Sequence, residues 1–246
     1  MKANPDIDTL LAKDWGDLNK FERQTLADHF SHHAHEKEFN WDWSSINYNR
    51  IALINYITAR IPDCAYLEIG CDLNQLFDSI PLADKTGVDP ARGGTHRQTS
   101  DEFFASNTKK FDVIWIDGLH DYTQVHRDIV HSIAALKPGG FIALHDMLPT
   151  SWLFEHMPRI SGRWNGDVWK VAPELMVTEG IDFKIVQIDH GCGILQVTES
   201  AAVLVDLSDM VGRESFAYYS EHVHRFPLIT WAQAIAWIDD ALERSL

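Results

Sequence analysis

The chain has 246 residues, of which 45% are hydrophobic and 23% are charged, and it contains nine Trp and twelve Phe. These proportions are typical of a folded globular protein and exclude disorder over most of the length. The formal net charge is −15 at pH 7. Such a charge disfavours binding to nucleic acid or to anionic lipid, because both present negative phosphates.

The three cysteines, Cys64, Cys71 and Cys192, are scattered and form no CxxC pair. Their spacing therefore suggests neither a zinc site nor a disulfide framework. The N-terminus has no apolar targeting segment, and no apolar stretch is long enough to span a bilayer. We expect a cytoplasmic protein in a reducing compartment.

The N-terminal part of the chain, residues 1–45, is polar and rich in aromatic residues and His, and it predicts one or two helices outside the core. Apolar residues at helical spacing then predict a helix over 51–61, which ends before Pro62. From Cys64 onward the chain changes to short apolar runs separated by turns.

These runs predict a series of buried strands joined by helices. We predict strands at 65–69, 86–88, 111–117, 141–144, 183–188 and 193–197. A helix over 122–136 precedes the fourth strand and ends at Pro138-Gly139-Gly140, and a last helix covers 231–242. Apolar strands that alternate with helices indicate parallel βαβ units, whose ligands bind at the carboxyl ends of the strands.

The first two strands end in a glycine turn at Gly70 and a carboxylate at Asp89. A glycine at this turn lets the backbone approach a ligand. A carboxylate after the next strand can accept hydrogen bonds from both hydroxyls of a ribose. The alternative is a tight turn followed by an exposed Asp with no ligand.

The next two strands end in Asp117 with His120 and in His145 with Asp146. Because these strands are expected to be neighbours, the four side chains can meet over one crevice. Carboxylates and imidazoles at this density suit a divalent cation such as Mg, Mn or Fe. The alternative is that Asp117 caps the following helix and His145 is hydrogen-bonded in the core.

The order of these segments resembles that of class I S-adenosylmethionine-dependent methyltransferases. The segments concerned are Glu68-Ile69-Gly70, Gly87-Val88-Asp89, 111–122, Lys137-Pro138-Gly139-Gly140 and His145-Asp146. The chain is most similar to the branch with I-D-G-x-H and H-D-x-x-P strand ends, which is laid out like metal-dependent O-methyltransferases. The resemblance covers residues 64–150 and, more loosely, 164–197.

The resemblance implies a single α/β domain with a Rossmann-like, doubly wound, mostly parallel sheet of seven strands that includes an antiparallel closing strand. An N-terminal helical region (1–60) is expected to precede the core (61–198). A C-terminal helical extension (199–246) is expected to follow it.

The resemblance also implies where the cofactor S-adenosylmethionine binds. Glu68 and Gly70 fall where the family's first loop passes under the methionine part, and Asp89 falls where an acid binds the ribose. Ser100-Asp101 lies near the adenine contacts, and Asp117 borders the cofactor. The family's first loop usually has a second glycine, which this chain replaces with Cys71-Asp72-Leu73-Asn74.

The same resemblance implies a divalent cation, Mg or Mn, with Asp117, His145 and Asp146 as ligands. His120 falls where catechol-type enzymes carry their general base. The expected reaction is O-methylation of a small hydroxylated acceptor, a sugar or a secondary metabolite. Two alternatives stay open at this point, a metal-dependent hydroxylase or hydrolase on the same scaffold and a non-catalytic binding protein.

Two further segments each have two interpretations. The segment after the strand at 141–144 either lines the acceptor pocket or packs within the domain through Arg159, Arg163, Trp164 and Asp167. The apolar face of the helix over 231–242 packs on the body of the domain or on a second subunit in a homo-oligomer.

Overall fold

The computed structural model describes residues 6–199 and 201–244, in which one mixed sheet lies between two layers of helices. The strands are β1 (Tyr66–Ile69), β2 (Lys85–Val88), β3 (Phe111–Ile116), β4 (Leu136–Leu144), β5 (Ile181–Val186), β6 (Cys192–Val197) and β7 (Leu228–Ile229). The helices are α1 (Ile7–Leu11), α2 (Lys20–His29), α3 (Arg50–Thr58), α4 (Ser100–Ser106), α5 (Tyr122–Ala135), α6 (Trp152–Glu155), α7 (Val171–Val177), α8 (Ser208–Val211), α9 (Phe216–His222) and α10 (Trp231–Arg244).

The strand order is β2-β1-β3-β4-β6-β5-β7. The first four strands in this order are parallel, whereas β6 is antiparallel to both β4 and β5. The predicted Rossmann-like fold with an antiparallel closing strand is confirmed. Since the chain runs from β1 to β2 on one side and then to β3 on the other, the strand order reverses beside β1. Doubly wound sheets bind ligands at this point.

Alternate residues of the central strands face the two helix layers. Leu67 and Ile114 lie in the core cluster formed with α5 and α7, whereas Tyr66 and Val113 lie in the cluster formed with α3 and α10. Because both faces are covered, these strands are apolar at nearly every position, as parallel strands require. The sheet is therefore a rigid base for the loops at its carboxyl edge.

The segment Pro138-Gly139-Gly140 differs from the prediction, because β4 begins at Leu136 rather than at 141. Leu136 pairs with Phe111, and the register shifts before the next pair. Proline has no N–H to donate to a ladder and is tolerated at such an irregularity. The helix does end at this point, as predicted, but the turn lies inside a strand.

The N-terminal helices α1 and α2 form a small cluster of their own. Leu10, Leu18 and Leu26 are buried together with Ile160 from the segment that follows α6. The N-terminal region thus holds the segment around Ile160 next to the sheet edge that carries the site.

Among the helices of the described residues, none combines the length and the apolar character that crossing a membrane requires.

Candidate active site

A cavity of about 700 Å³ opens at the carboxyl ends of β1, β2 and β3. Its wall includes Gly70, Asp89, Asp117, His120 and Asp146, which follow four neighbouring strands. The volume lies within the range of small-molecule and cofactor sites. The sequence-predicted residues of the two strand-end pairs therefore border one space.

The turn after β1 requires glycine at position 70. Gly70 has φ +85°, and a Cβ there would lie 2.1 Å from the carbonyl oxygen of Asp117. Asp72 and Asn74 adopt left-handed conformations, with φ of 44° and 61°. The Asn74 Oδ1 atom accepts a hydrogen bond of 2.7 Å from the N–H of Gly94. Side-chain hydrogen bonding thus shapes the loop that lacks the second glycine.

Asp89 is anchored at the end of β2 by backbone N–H groups. Its Oδ2 accepts from Asp72 at 2.9 Å, and its Oδ1 accepts from Ala91 and Arg92 at 2.8 Å each. Burial alone would raise the pKa of Asp89, but the N–H donors of Arg92, Asp72 and Ala91 hold it below the ordinary value. The carboxylate is therefore charged and fixed at the cavity edge.

Glu68 is buried below the same edge, where its Oε2 accepts a hydrogen bond of 2.6 Å from the hydroxyl of Tyr66. Burial raises the pKa of Glu68 to about 8, an effect that the hydrogen bond from Tyr66 only partly offsets. This side chain lines the cavity as a largely neutral group at pH 7.

The two residues predicted near the adenine separate in the structure. Ser100 lines the cavity, whereas Asp101 is not among the described residues that line it. The Nε2 atom of Gln124 lies 3.1 Å from the Oγ of Ser100 and 3.0 Å from the Oδ1 of Asp128. Ser100, Gln124 and Asp128 therefore form a polar group at the cavity wall.

Asp117, His120 and Asp146 form a cluster whose ligand atoms all lie within 4.8 Å of one another. The Nε2 of His120 is 3.4 Å from the Oδ1 of Asp117, and its Nδ1 is 3.3 Å from the Oδ2 of Asp146. Burial disfavours the charged form of His120, but Asp146 and Asp117 outweigh it and raise the histidine pKa.

His145 also contacts the same two carboxylates. Its Nδ1 is 3.3 Å from the Oδ1 of Asp117 and 3.1 Å from the Oδ2 of Asp146. Its Nε2 is buried without a hydrogen bond among the described residues, 3.7 Å from the Oδ1 of Asp189. The predicted ligand set and the clustered set thus share Asp117 and Asp146 and differ in the histidine.

Four residues of the site have no counterpart in the sequence prediction. Arg50 lines the cavity and forms an ion pair of 2.8 Å with Asp189, which lies in the turn between β5 and β6. Gln124 and Asp128 reach the cavity from one face of α5. A motif that follows strand ends contains no signal for residues on a helix or in a distant hairpin.

The segment after α6 contributes part of the cavity wall. Trp164 stacks on His120, with ring centroids 5.1 Å apart, and Arg159 lies beside Trp164. Asp167 instead pairs with buried Lys170 at 2.9 Å. It also accepts a hydrogen bond of 2.7 Å from the N–H of Tyr122. In this segment, therefore, Arg159 and Trp164 border the cavity and Asp167 serves packing.

A family model described as a methyltransferase domain matches residues 21–147. The matched region contains every predicted cofactor, cation and catalytic residue.

Several solved structures are similar in fold at low sequence identity. A Corynebacterium glutamicum protein is 11% identical over 80% of this chain and 93% of its own, with a TM-score of 0.46. An S-adenosylhomocysteine-bound methyltransferase from Podospora anserina is 15% identical over 74% of this chain and 97% of its own, with a TM-score of 0.46. An O-methyltransferase from Bacillus cereus in complex with S-adenosylhomocysteine is 10% identical over 78% and 96%, with a TM-score of 0.42.

Nothing about the activity of this chain follows from likenesses at this level. No curated protein sequence matches the chain. The family model, in contrast, covers more than half of the residues. The chain therefore belongs to the methyltransferase-domain family and is a class I S-adenosylmethionine-dependent methyltransferase.

Proposed function

We propose that this methyltransferase transfers the methyl group of S-adenosylmethionine to a hydroxyl of a small acceptor, with assistance from a divalent cation. One observation carries the proposal. Asp117, His120 and Asp146 gather in the wall of a cavity that Gly70 and Asp89 also line. The cofactor pocket and the cation cluster are thus neighbours.

The cavity fits the cofactor in size and in polarity. Its volume of about 700 Å³ suits a ligand of this class, and its walls offer charged Asp89 for the ribose hydroxyls. Gly70 and Glu68 lie where the methionine part would pass, and Ser100 with Gln124 offers hydrogen bonds to an adenine.

The cluster also fits a hard divalent cation. Two carboxylates and an imidazole are suitable ligands for Mg or Mn. The pKa of Asp117 is held well below its ordinary value. Burial alone would raise that pKa, but His145 and His120 outweigh it. Asp117 and Asp146, with His145, would hold the cation, which would act as a Lewis acid and lower the pKa of the acceptor hydroxyl. His120 would then stay free to accept a proton.

The protein itself aligns the reactants and accepts a proton. Methyl transfer is an in-line displacement, so most of the catalytic effect comes from positioning. Trp164 stacks on the imidazole of His120 and limits its orientation. In the proposed mechanism His120 takes the proton of the acceptor hydroxyl, the role that imidazole performs near neutral pH.

Family membership favours methyl transfer over a hydroxylase or hydrolase on this scaffold. Within methyl transfer, dependence on a cation distinguishes the proposed reaction from that of a cation-independent methyltransferase.

The test is an assay of methyl transfer from S-adenosylmethionine to a panel of hydroxylated acceptors after EDTA treatment, with and without added Mg²⁺ or Mn²⁺. We expect activity only with the cation. Asp146→Asn should reduce kcat/KM at least about 100-fold and weaken cation binding about 10- to 100-fold. Asn tolerates the left-handed backbone of Asp146, whose φ is 60°, so this variant should keep the fold.

Asp209→Asn is the matched control, because it makes the same Asp→Asn change at an exposed residue that is not among the described residues lining the cavity. Full activity in EDTA, or an Asp146→Asn variant as active as Asp209→Asn, would contradict the role of the cation.

A further inference from the structure

We propose, on the basis of the proposed function, that the acceptor carries a carboxylate and that Arg159 binds it. Arg159 lies in the wall of the same cavity as Asp117, His120 and Asp146. The cavity therefore has a cationic side chain at one side and the reacting cluster at another.

The hydrogen bonds of Arg159 hold its guanidinium in one orientation. Nε donates to the carbonyl oxygen of Ser161 at 3.0 Å, and Nη2 donates to that of Gly162 at 2.7 Å. These two donors form one side of the guanidinium. The other three of its five N–H groups have no hydrogen-bond partner among the described residues, and two of them, one on each Nη atom, form the parallel pair that binds a carboxylate in a bidentate manner.

Arg159 also lacks a charge partner. No carboxylate of the described residues lies within 4.0 Å of it, although the chain as a whole has a formal charge of −15. The nearest ring systems are those of Trp15, 5.4 Å from its Cζ, and Trp164, 5.6 Å away. A half-buried guanidinium between two indoles is preorganised for an anion, since it is weakly hydrated and already positioned.

A second cation strengthens this argument. The Cζ of Arg23 lies 4.9 Å from the centre of the Trp15 ring, which Arg159 also contacts. Among the described residues, no carboxylate lies within 4.0 Å of Arg23. Burial and the charge of Arg23 lower the pKa of Arg159. Two like charges at one indole disfavour each other, and an anion bound at Arg159 would relieve that repulsion.

Trp164 connects the cation to the reacting cluster. Its ring stacks on His120 and also contacts the guanidinium of Arg159. An acceptor with a flat apolar body would lie along this indole, with its hydroxyl at Asp117 and Asp146 and its carboxylate at Arg159. The proposed acceptor therefore carries its hydroxyl and its carboxylate on the same flat body.

The test compares two probes that differ only in the anionic group, 3,4-dihydroxybenzoate and 3,4-dihydroxybenzyl alcohol. Each is titrated calorimetrically into the full chain with Mg²⁺, both with and without S-adenosylhomocysteine. We expect the benzoate to bind at least about tenfold more tightly, because only the benzoate can accept charge-assisted hydrogen bonds from the guanidinium. Arg159→Gln should abolish this difference, and Arg159→Lys should keep part of it.

Arg225→Gln is the control for the change in net charge, because Arg225 is exposed and is not among the described residues that line the cavity. Equal affinity of the two probes for the wild type, including no binding of either, would overturn the proposal. So would an Arg159→Gln variant that retains the preference for the benzoate. Binding of S-adenosylhomocysteine is measured separately and reports on the proposed function, so the two failures are distinguishable.

Discussion

Left-handed residues border the cavity after β1 and after β4. Gly70 has φ +85° and Asp146 has φ 60°, and Asp72 and Asn74 continue the pattern in the first loop. Non-glycine residues in this conformation cost about 1–3 kcal/mol each, and such strain is found mostly at ligand sites. The loops of this site are therefore held by their surroundings in conformations that the isolated chain would avoid.

Gly70→Ala tests whether the turn after β1 is held in its left-handed conformation, because it adds one carbon atom at the turn. The added Cβ would lie 2.1 Å from the carbonyl oxygen of Asp117, in a backbone conformation that alanine disfavours. We expect a loss of at least ~2 kcal/mol in the free energy of unfolding, measured by urea denaturation.

Gly16→Ala is the control, because a Cβ at Gly16 would meet nothing within 4 Å. Equal stabilities of the two variants would show that the turn at Gly70 does not contact β3 as described.

At the residue scale, the sequence could predict which strand ends meet but not which other groups join them. Asp117, His145 and Asp146 converge because each follows a parallel strand, which is visible in the apolar pattern. Arg50 and Asp189 meet through a contact between a helix start and a distant hairpin turn. No local pattern records such a pairing, because it depends on how α3 packs on the sheet.

Helix α6 shows how an element can bury an ionisable group away from the site. Glu155 at its end is buried, and its Oε1 accepts a hydrogen bond of 3.2 Å from the Nε1 of Trp169. Burial raises the pKa of Glu155 to about 7, although Trp169 and Lys170 oppose the shift.

Stability should therefore depend on pH through Glu155. The folded chain keeps this proton up to about pH 7, whereas the unfolded chain releases it near its ordinary pKa, so the free energy of unfolding falls as pH rises through this window. Between pH 5 and pH 8 the loss due to Glu155 should be about 2 kcal/mol. Glu155→Gln should remove this part of the slope in urea denaturation.

Glu38→Gln, at an exposed glutamate, serves as the control. An identical pH slope in wild type and Glu155→Gln would contradict the burial of a protonated carboxyl in α6.

At the element scale, strongly patterned segments were predicted to within a few residues. The apolar run of β3 and the one-sided pattern of α5 both appear at the expected positions. Two examples show what could not be predicted. Strand β7 (Leu228–Ile229) has only two residues, too few for a periodic signal. β4 extends back through Pro138, since the gain from pairing Leu136 with Phe111 overrides the local turn signal.

The molecule as a whole is organised around the reversal of strand order beside β1. Because β2 and β3 flank β1, the loops after these three strands open a cavity rather than packing on one another. The resemblance to the methyltransferase family predicted this arrangement, including the antiparallel strand β6. The segment that carries Arg159 contributes to the cavity wall and is held by the N-terminal helices, an arrangement that no motif in the sequence indicates.

We propose that this cavity binds the adenosyl cofactor beside the Asp/His cluster. Gly118 offers a direct test, since it lines the cavity and, beyond its chain neighbours, a Cβ there would contact only Ile69 of the described residues, at an ordinary 3.5 Å. Gly118→Leu should therefore fill the cavity without disturbing the fold, with Gly16→Leu as the control for a larger side chain elsewhere.

The most direct measurement is a calorimetric titration of S-adenosylhomocysteine into the wild type and both variants. We predict one binding site in the wild type and in Gly16→Leu, and an affinity reduced at least about tenfold in Gly118→Leu. If S-adenosylhomocysteine does not bind the wild type, or binds Gly118→Leu as tightly as the wild type, the cofactor does not bind in this cavity.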